Sequence, residues 1–105
     1  MNNYDLLKDL KQKLEKEIDI SINKIILFGS RTNGNSEEFS DYDILIILND
    51  EYNWITENKI YDSAYDIMLK EDLIFDIKII NQNEINTDRG RQPFIKNALQ
   101  SKVYA

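Results

Sequence analysis

The sequence predicts a small α/β domain in which helices flank a mixed sheet of about three strands, in the order α-β-(α)-β-α-β-α. Three observations carry this. Apolar residues make up 42 % and charged residues 30 % of the 105 positions, a balance too apolar for disorder and sufficient to bury roughly 60–65 % of the unfolded chain's area. The hydrophobic pattern switches repeatedly between helical spacing and short β-branched runs. The link between the first two strands is too brief for an ordinary crossover helix, which favours a mixed sheet over a purely parallel one.

Taken in order, Asn2 or Asn3 can cap a helix whose Leu6, Leu7, Leu10, Leu14 and Ile18 fall on one face. Lys24 to Phe28 is a β-branched run closed by Gly29, and reads as a buried strand followed by a sharp turn. Ser30 to Ser40 is mostly loop, with a single helical turn at its start as an option. Tyr42 to Leu48 is apolar on both faces beyond Asp43, as a central strand requires. From about Tyr52 to Lys70, Tyr61, Tyr65 and Met68 recur at helical spacing with Ile60 and Ala64 alongside, predicting a second long helix. Leu73 to Ile80 is the third strand, interrupted by Asp76 and Lys78. A polar loop spans Asn81 to Gln92, and Pro93 suits the first residue of a last helix running to about Gln100.

Composition narrows the chemistry. A length of 105 residues fits one domain, 1–105, with one core and no room for a separate substrate-binding domain. The charged N-terminal turns and the absence of a long apolar run predict a cytoplasmic chain without signal peptide or membrane span. With 19 acids against 13 basic residues the net charge is −6, so the basic footprint of an extended nucleic-acid binder is missing. There is no Cys and no His, which excludes disulfides, thiolate nucleophiles, Cys/His zinc sites and His-based triads. Catalysis would have to run on carboxylates, hydroxyls, amines or oxygen-bound metals.

Asp41 and Asp43 lie two apart at the start of a strand, so their carboxylates leave the same face. Their repulsion in apolar surroundings calls for a cation, and oxygen ligands point to Mg²⁺ or Mn²⁺. Asp76 adds a third acid where an apolar residue would pack better, and all three converge if the strands are neighbours. Taken singly, an acid pair at a strand end also reads as a turn or a cap. Gly29 and Ser30 shift the balance: glycine lets backbone approach a phosphate closely, and serine adds a hydroxyl beside N–H groups. Tyr52, Trp54, Tyr61 and Tyr65 could stack on a base but suit core or interface better. Arg89, Arg91 and Lys96 form a basic cluster that reads first as a solvated loop, and Lys8 to Lys13 as a wet helix face. A small sheet with an open edge and an aromatic helix also leaves a homodimer possible.

Gly29-Ser30-Arg31-Thr32-Asn33-Gly34, then Ser40-Asp41-Tyr42-Asp43, then the lone Asp76, resemble the DNA polymerase β-like nucleotidyltransferase superfamily, and within it the minimal nucleotidyltransferases. The likeness runs over nearly the whole chain, including Gln92 to Asn97, which is similar to the short closing helix of minimal members. It departs at Asn33, where the family commonly has Arg, leaving Arg31 as the candidate substitute at the triphosphate. The resemblance implies a polymerase β-like nucleotidyltransferase fold and a two-metal transfer using two Mg²⁺ ions and ATP. Asp41 and Asp43 would hold the ions. Asp76 would complete the second metal site and lower the pKa of the attacking hydroxyl or take its proton, and Gly29 and Ser30 would bind the β and γ phosphates. Minimal members are similar to the antitoxins of HEPN/MNT toxin–antitoxin pairs, which implies transfer of AMP to a tyrosine of a HEPN toxin partner. Two rivals stand beside this: a binding antitoxin of the same fold without catalysis, and nucleotidyl transfer to a small molecule such as an aminoglycoside.

Overall fold

The computed structural model describes residues 2–29 and 41–105. Helix α1 spans Asn3–Glu17, capped by Asn2, whose side chain accepts from the Asp5 N–H; Leu6, Leu7, Leu10 and Leu14 form its buried stripe. Strands β1 (Ile22–Phe28) and β2 (Tyr42–Leu48) pair antiparallel. Helix α2 (Trp54–Glu71) leads to β3 (Phe75–Asn81), which pairs parallel with β2. Helix α3 (Pro93–Leu99) and a two-residue strand β4 (Val103–Tyr104) follow, giving the sheet order β3-β2-β1-β4.

The sheet is mixed, as expected, with a fourth strand that the pattern did not reveal. Two residues carry no periodicity, and β4 exists because its backbone pairs with Ile26 and Leu27. β1 begins at Ile22, earlier than expected, through an irregularity between Ile22 and Lys24. α2 starts at Trp54, since the Asn53 side chain caps it by accepting from the Ile55 and Thr56 N–H groups. The polar stretch before α3 contains two 3₁₀ turns, Gln82–Glu84 and Arg89–Arg91. The first is closed by a reciprocal Asn81/Glu84 capping box.

Strand alternation divides the core in two. Ile25, Leu27, Ile44, Ile46, Leu48, Ile77 and Ile79 face α1 and α2, and make the larger cluster with the α1 leucines and with Ile60, Ala64 and Ile67. Ile26, Phe28, Leu45, Ile47 and Ile80 face the other way, where Ile95 and Ala98 of α3 cover them. Two long helices thus cover one face of the sheet, and one short helix covers part of the other. By strand alternation Asp43 and Asp76 belong to that second face.

Candidate functional site

By the same alternation Asp43 shares the α3 face with Leu45 and Ile47, and Asp76 shares it with Ile80. The parallel register sets Asp43 directly opposite Asp76. Because β2 and β3 are neighbours and in register, the two acids stand side by side on one face. Asp41 sits just ahead of β2, where the Tyr42 N–H donates to the Ile74 carbonyl and ties the strand's entry to the approach of β3. Asp41 and Asp76 are exposed and Asp43 is half-buried.

On the other side of β2, Phe28 pairs with Asp43, and Gly29 follows it with φ +81°. That left-handed turn favours glycine. Space demands glycine as well, because a Cβ at this position would collide with Asp43 Oδ2 and stand 3.3 Å from its Cγ. The backbone at Gly29 and the Asp43 carboxylate therefore pack against each other, and the missing side chain is what lets the acid lie there.

The electrostatics follow from this crowding. The Asp43 carboxyl is pushed above its ordinary range, first by burial, then by the negative charges of Asp76 and Asp41, with Lys78 pulling it back. Lys78 lies two residues beyond Asp76 on the same face and donates to Asp76 Oδ1 at 3.3 Å. Its ammonium also stands 5.9 Å from the centroid of the Phe94 ring. Among the described residues no three acidic side chains are gathered closely enough to hold a metal ion; Asp76 is turned to Lys78 instead.

Two of the expected acids, Asp43 and Asp76, thus stand side by side, but the expected convergence of all three is not met: Asp41 lies ahead of β2, and Asp76 is engaged by Lys78, which in the sequence marks only an interruption of the strand. The signal that marks Lys78 is its i, i+2 spacing from Asp76, the same rule that pairs Asp41 with Asp43. Ser30, Arg31 and Asn33 lie outside the described residues. Other candidates resolve as structure. Arg89 donates to the Ile79 carbonyl at 2.6 Å and pairs with Glu84, so it braces the outer edge of β3 and does not stand free on a solvated loop. Tyr52 donates to the same carbonyl at 2.9 Å. Trp54, Tyr61 and Tyr65 point outward from α2, whose buried positions are Ile60, Ser63, Ala64 and Ile67.

The chemistry of the pair suits a hard cation: Asp43 and Asp76 are oxygen ligands set side by side that repel each other, with Asp41 adding to the negative field. The chain belongs to the polymerase beta nucleotidyltransferase family, whose sequence pattern it matches over residues 4–101. Among solved structures, a crystal structure of a mutant of the toxin-antitoxin MntA-HpeT superposes with a TM-score of 0.51 at 16 % identity, covering 94 % of this chain and 85 % of the other. At that identity the likeness is one of fold. No curated protein matches the chain. Among the described residues no helix is long and apolar enough to cross a membrane.

Proposed function

We propose that this chain is a Mg²⁺-dependent nucleotidyltransferase that moves AMP from ATP to a hydroxyl of a partner protein, as the antitoxin of a HEPN/MNT-type pair. Asp43 facing Asp76 in register beside the vacated Gly29 is the observation that carries this reading. Family membership supports the transfer, and the MntA-HpeT likeness supports the antitoxin setting.

In this reading Asp41 and Asp43 hold the cations and Asp76 completes the set. Divalent ions held by these carboxylates would neutralise charge on the triphosphate and the departing pyrophosphate and would make the acceptor hydroxyl more acidic. The acceptor oxygen forms a bond to the α-phosphorus while the bond to pyrophosphate breaks. Asp76 accepts the hydroxyl's proton, which its exposed position passes on to solvent. Ser30 and Arg31 bind the β and γ phosphates with the Gly29 backbone. Most of the acceleration comes from positioning and charge, as is general for phosphoryl chemistry.

The test incubates the chain with α-labelled ATP, Mg²⁺ and a HEPN protein encoded beside it. Label is expected on that protein with the wild type and not with Asp43→Asn. Absence of label with the wild type, or equal labelling by both, rejects the proposal. A partner still neutralised by unlabelled contact with Asp43→Asn would identify a binding antitoxin instead.

A further inference from the structure

Lys78 is the cationic side chain that the described residues place beside the carboxylates, and its surroundings are unusual for a surface lysine. Its partner Asp76 faces Asp43 across the strands, so one ammonium stands beside a pair of acids and leaves the pair net negative. The ion pair is a single 3.3 Å contact between side chains that remain 45 % and 48 % exposed. Exposed single contacts of this kind are weak and exchange readily. The ammonium also stands 5.9 Å from the centroid of the Phe94 ring, at the start of α3, on a flexible stem of four methylenes.

A cation on a flexible stem, weakly held by an acid that a divalent ion would claim, has two anionic destinations. We propose that Lys78 is a positioning residue of the site: it holds the Asp76 carboxylate while no divalent cation is bound, and moves to the nucleotide's triphosphate once that carboxylate is taken. This rests on the nucleotidyltransferase reading above. It adds a competition that the three acids alone do not contain. Lys78 opposes binding of the bare cation and favours binding of the anionic nucleotide, so its removal shifts the two affinities in opposite directions. A lysine that merely braces β3 would shift neither, or would weaken both through loss of structure.

The experiment titrates the full chain with Mn²⁺ alone, read by the electron paramagnetic resonance of free Mn²⁺. A second titration adds a non-hydrolysable ATP analogue at saturating Mg²⁺, read by calorimetry. Lys78→Met keeps an unbranched side chain without the charge, Lys78→Arg keeps the charge, and melting curves confirm that both are folded. Lys78→Met is expected to bind Mn²⁺ two- to fivefold tighter and the nucleotide two- to tenfold more weakly, with Lys78→Arg near wild type for the nucleotide. Unchanged or weaker Mn²⁺ binding by Lys78→Met, or unchanged nucleotide binding, overturns the inference. Asp43→Asn separates this from the parent reading. If it binds Mn²⁺ as the wild type does, the metal site itself is wrong. If it loses Mn²⁺ while Lys78→Met behaves as wild type, only the assignment of Lys78 fails.

Discussion

Gly29→Ala asks whether the fold depends on the vacancy beside Asp43. The added methyl meets two penalties. At φ +81° a non-glycine residue is strained by roughly 1–2 kcal/mol. The new Cβ also collides with Asp43 Oδ2 and crowds its Cγ at 3.3 Å. Overpacking costs about 1–3 kcal/mol, and the half-buried carboxylate can partly turn away, so the lower end, about 1 kcal/mol, applies. The expected loss is about 2–3 kcal/mol, or roughly 8–12 °C in melting temperature at about 4 °C per kcal/mol. The double-mutant cycle with Asp43→Ala isolates the contact. Truncation removes Oδ2 and Cγ and leaves the Asp43 Cβ at 3.5 Å, an ordinary separation. In that background Gly29→Ala should cost about 1–2 kcal/mol, with a coupling of about 1 kcal/mol between the positions. Urea unfolding of the four proteins, followed by far-ultraviolet circular dichroism, measures it. An equal cost in both backgrounds, or a cost below about 0.5 kcal/mol in the first, refutes the packing of Asp43 on Gly29.

Asp43→Asn tests the electrostatics in metal-free buffer. Burial and the neighbouring acids raise the folded carboxyl above its ordinary value of 3.8, so the folded state binds the proton more tightly than the unfolded state does. Its stabilising contribution is complete below 3.8 and lost as pH rises through the raised folded value. The variant should therefore have a higher urea midpoint than wild type at pH 7 and no advantage near pH 3; a lower midpoint at pH 7 contradicts the cause assigned. Ile46→Ala removes a side chain that is 0 % exposed at the centre of the sheet and should cost about 2–5 kcal/mol in the same assay. Asn53→Ala leaves the Ile55 and Thr56 N–H groups uncapped at the start of α2 and should cost about 1 kcal/mol.

Long apolar periodicity was easy to read. The α1 leucines and the continuous run Ile44 to Leu48 declare a one-sided helix and a central strand because burial dictates both patterns. What escaped the pattern was set by tertiary pairing. β4 is two residues long, and Arg89 looks like solvent-facing charge until the edge of β3 presents the Ile79 carbonyl to it. The aromatic spacing in α2 misleads for a related reason: Tyr61 and Tyr65 share helical periodicity with the core positions but lie on the opposite side. At the site, the two-residue spacing of Asp41 and Asp43 and the strand position of Asp76 were legible. Their register depends on which strand lies beside which, and that is a property of the sheet. The Asp76–Lys78 pair obeys the same local rule, yet charge within an apolar strand looks like noise until a neighbouring acid gives it meaning.

The central claim is that the carboxylates beside Gly29 form a cation-dependent nucleotide site, and thermal unfolding with and without Mg²⁺ and ATP tests it most directly. A ligand that binds only the folded chain at one hundred times its Kd adds about 2.7 kcal/mol, roughly 11 °C for a domain of this size. The wild type should show a rise of that order with Mg²⁺ and ATP together and little with ATP in chelator, while Asp43→Ala and Asp76→Ala show none. A wild-type melting temperature that does not move at millimolar Mg²⁺ and ATP, or variants that rise as the wild type does, contradicts the claim.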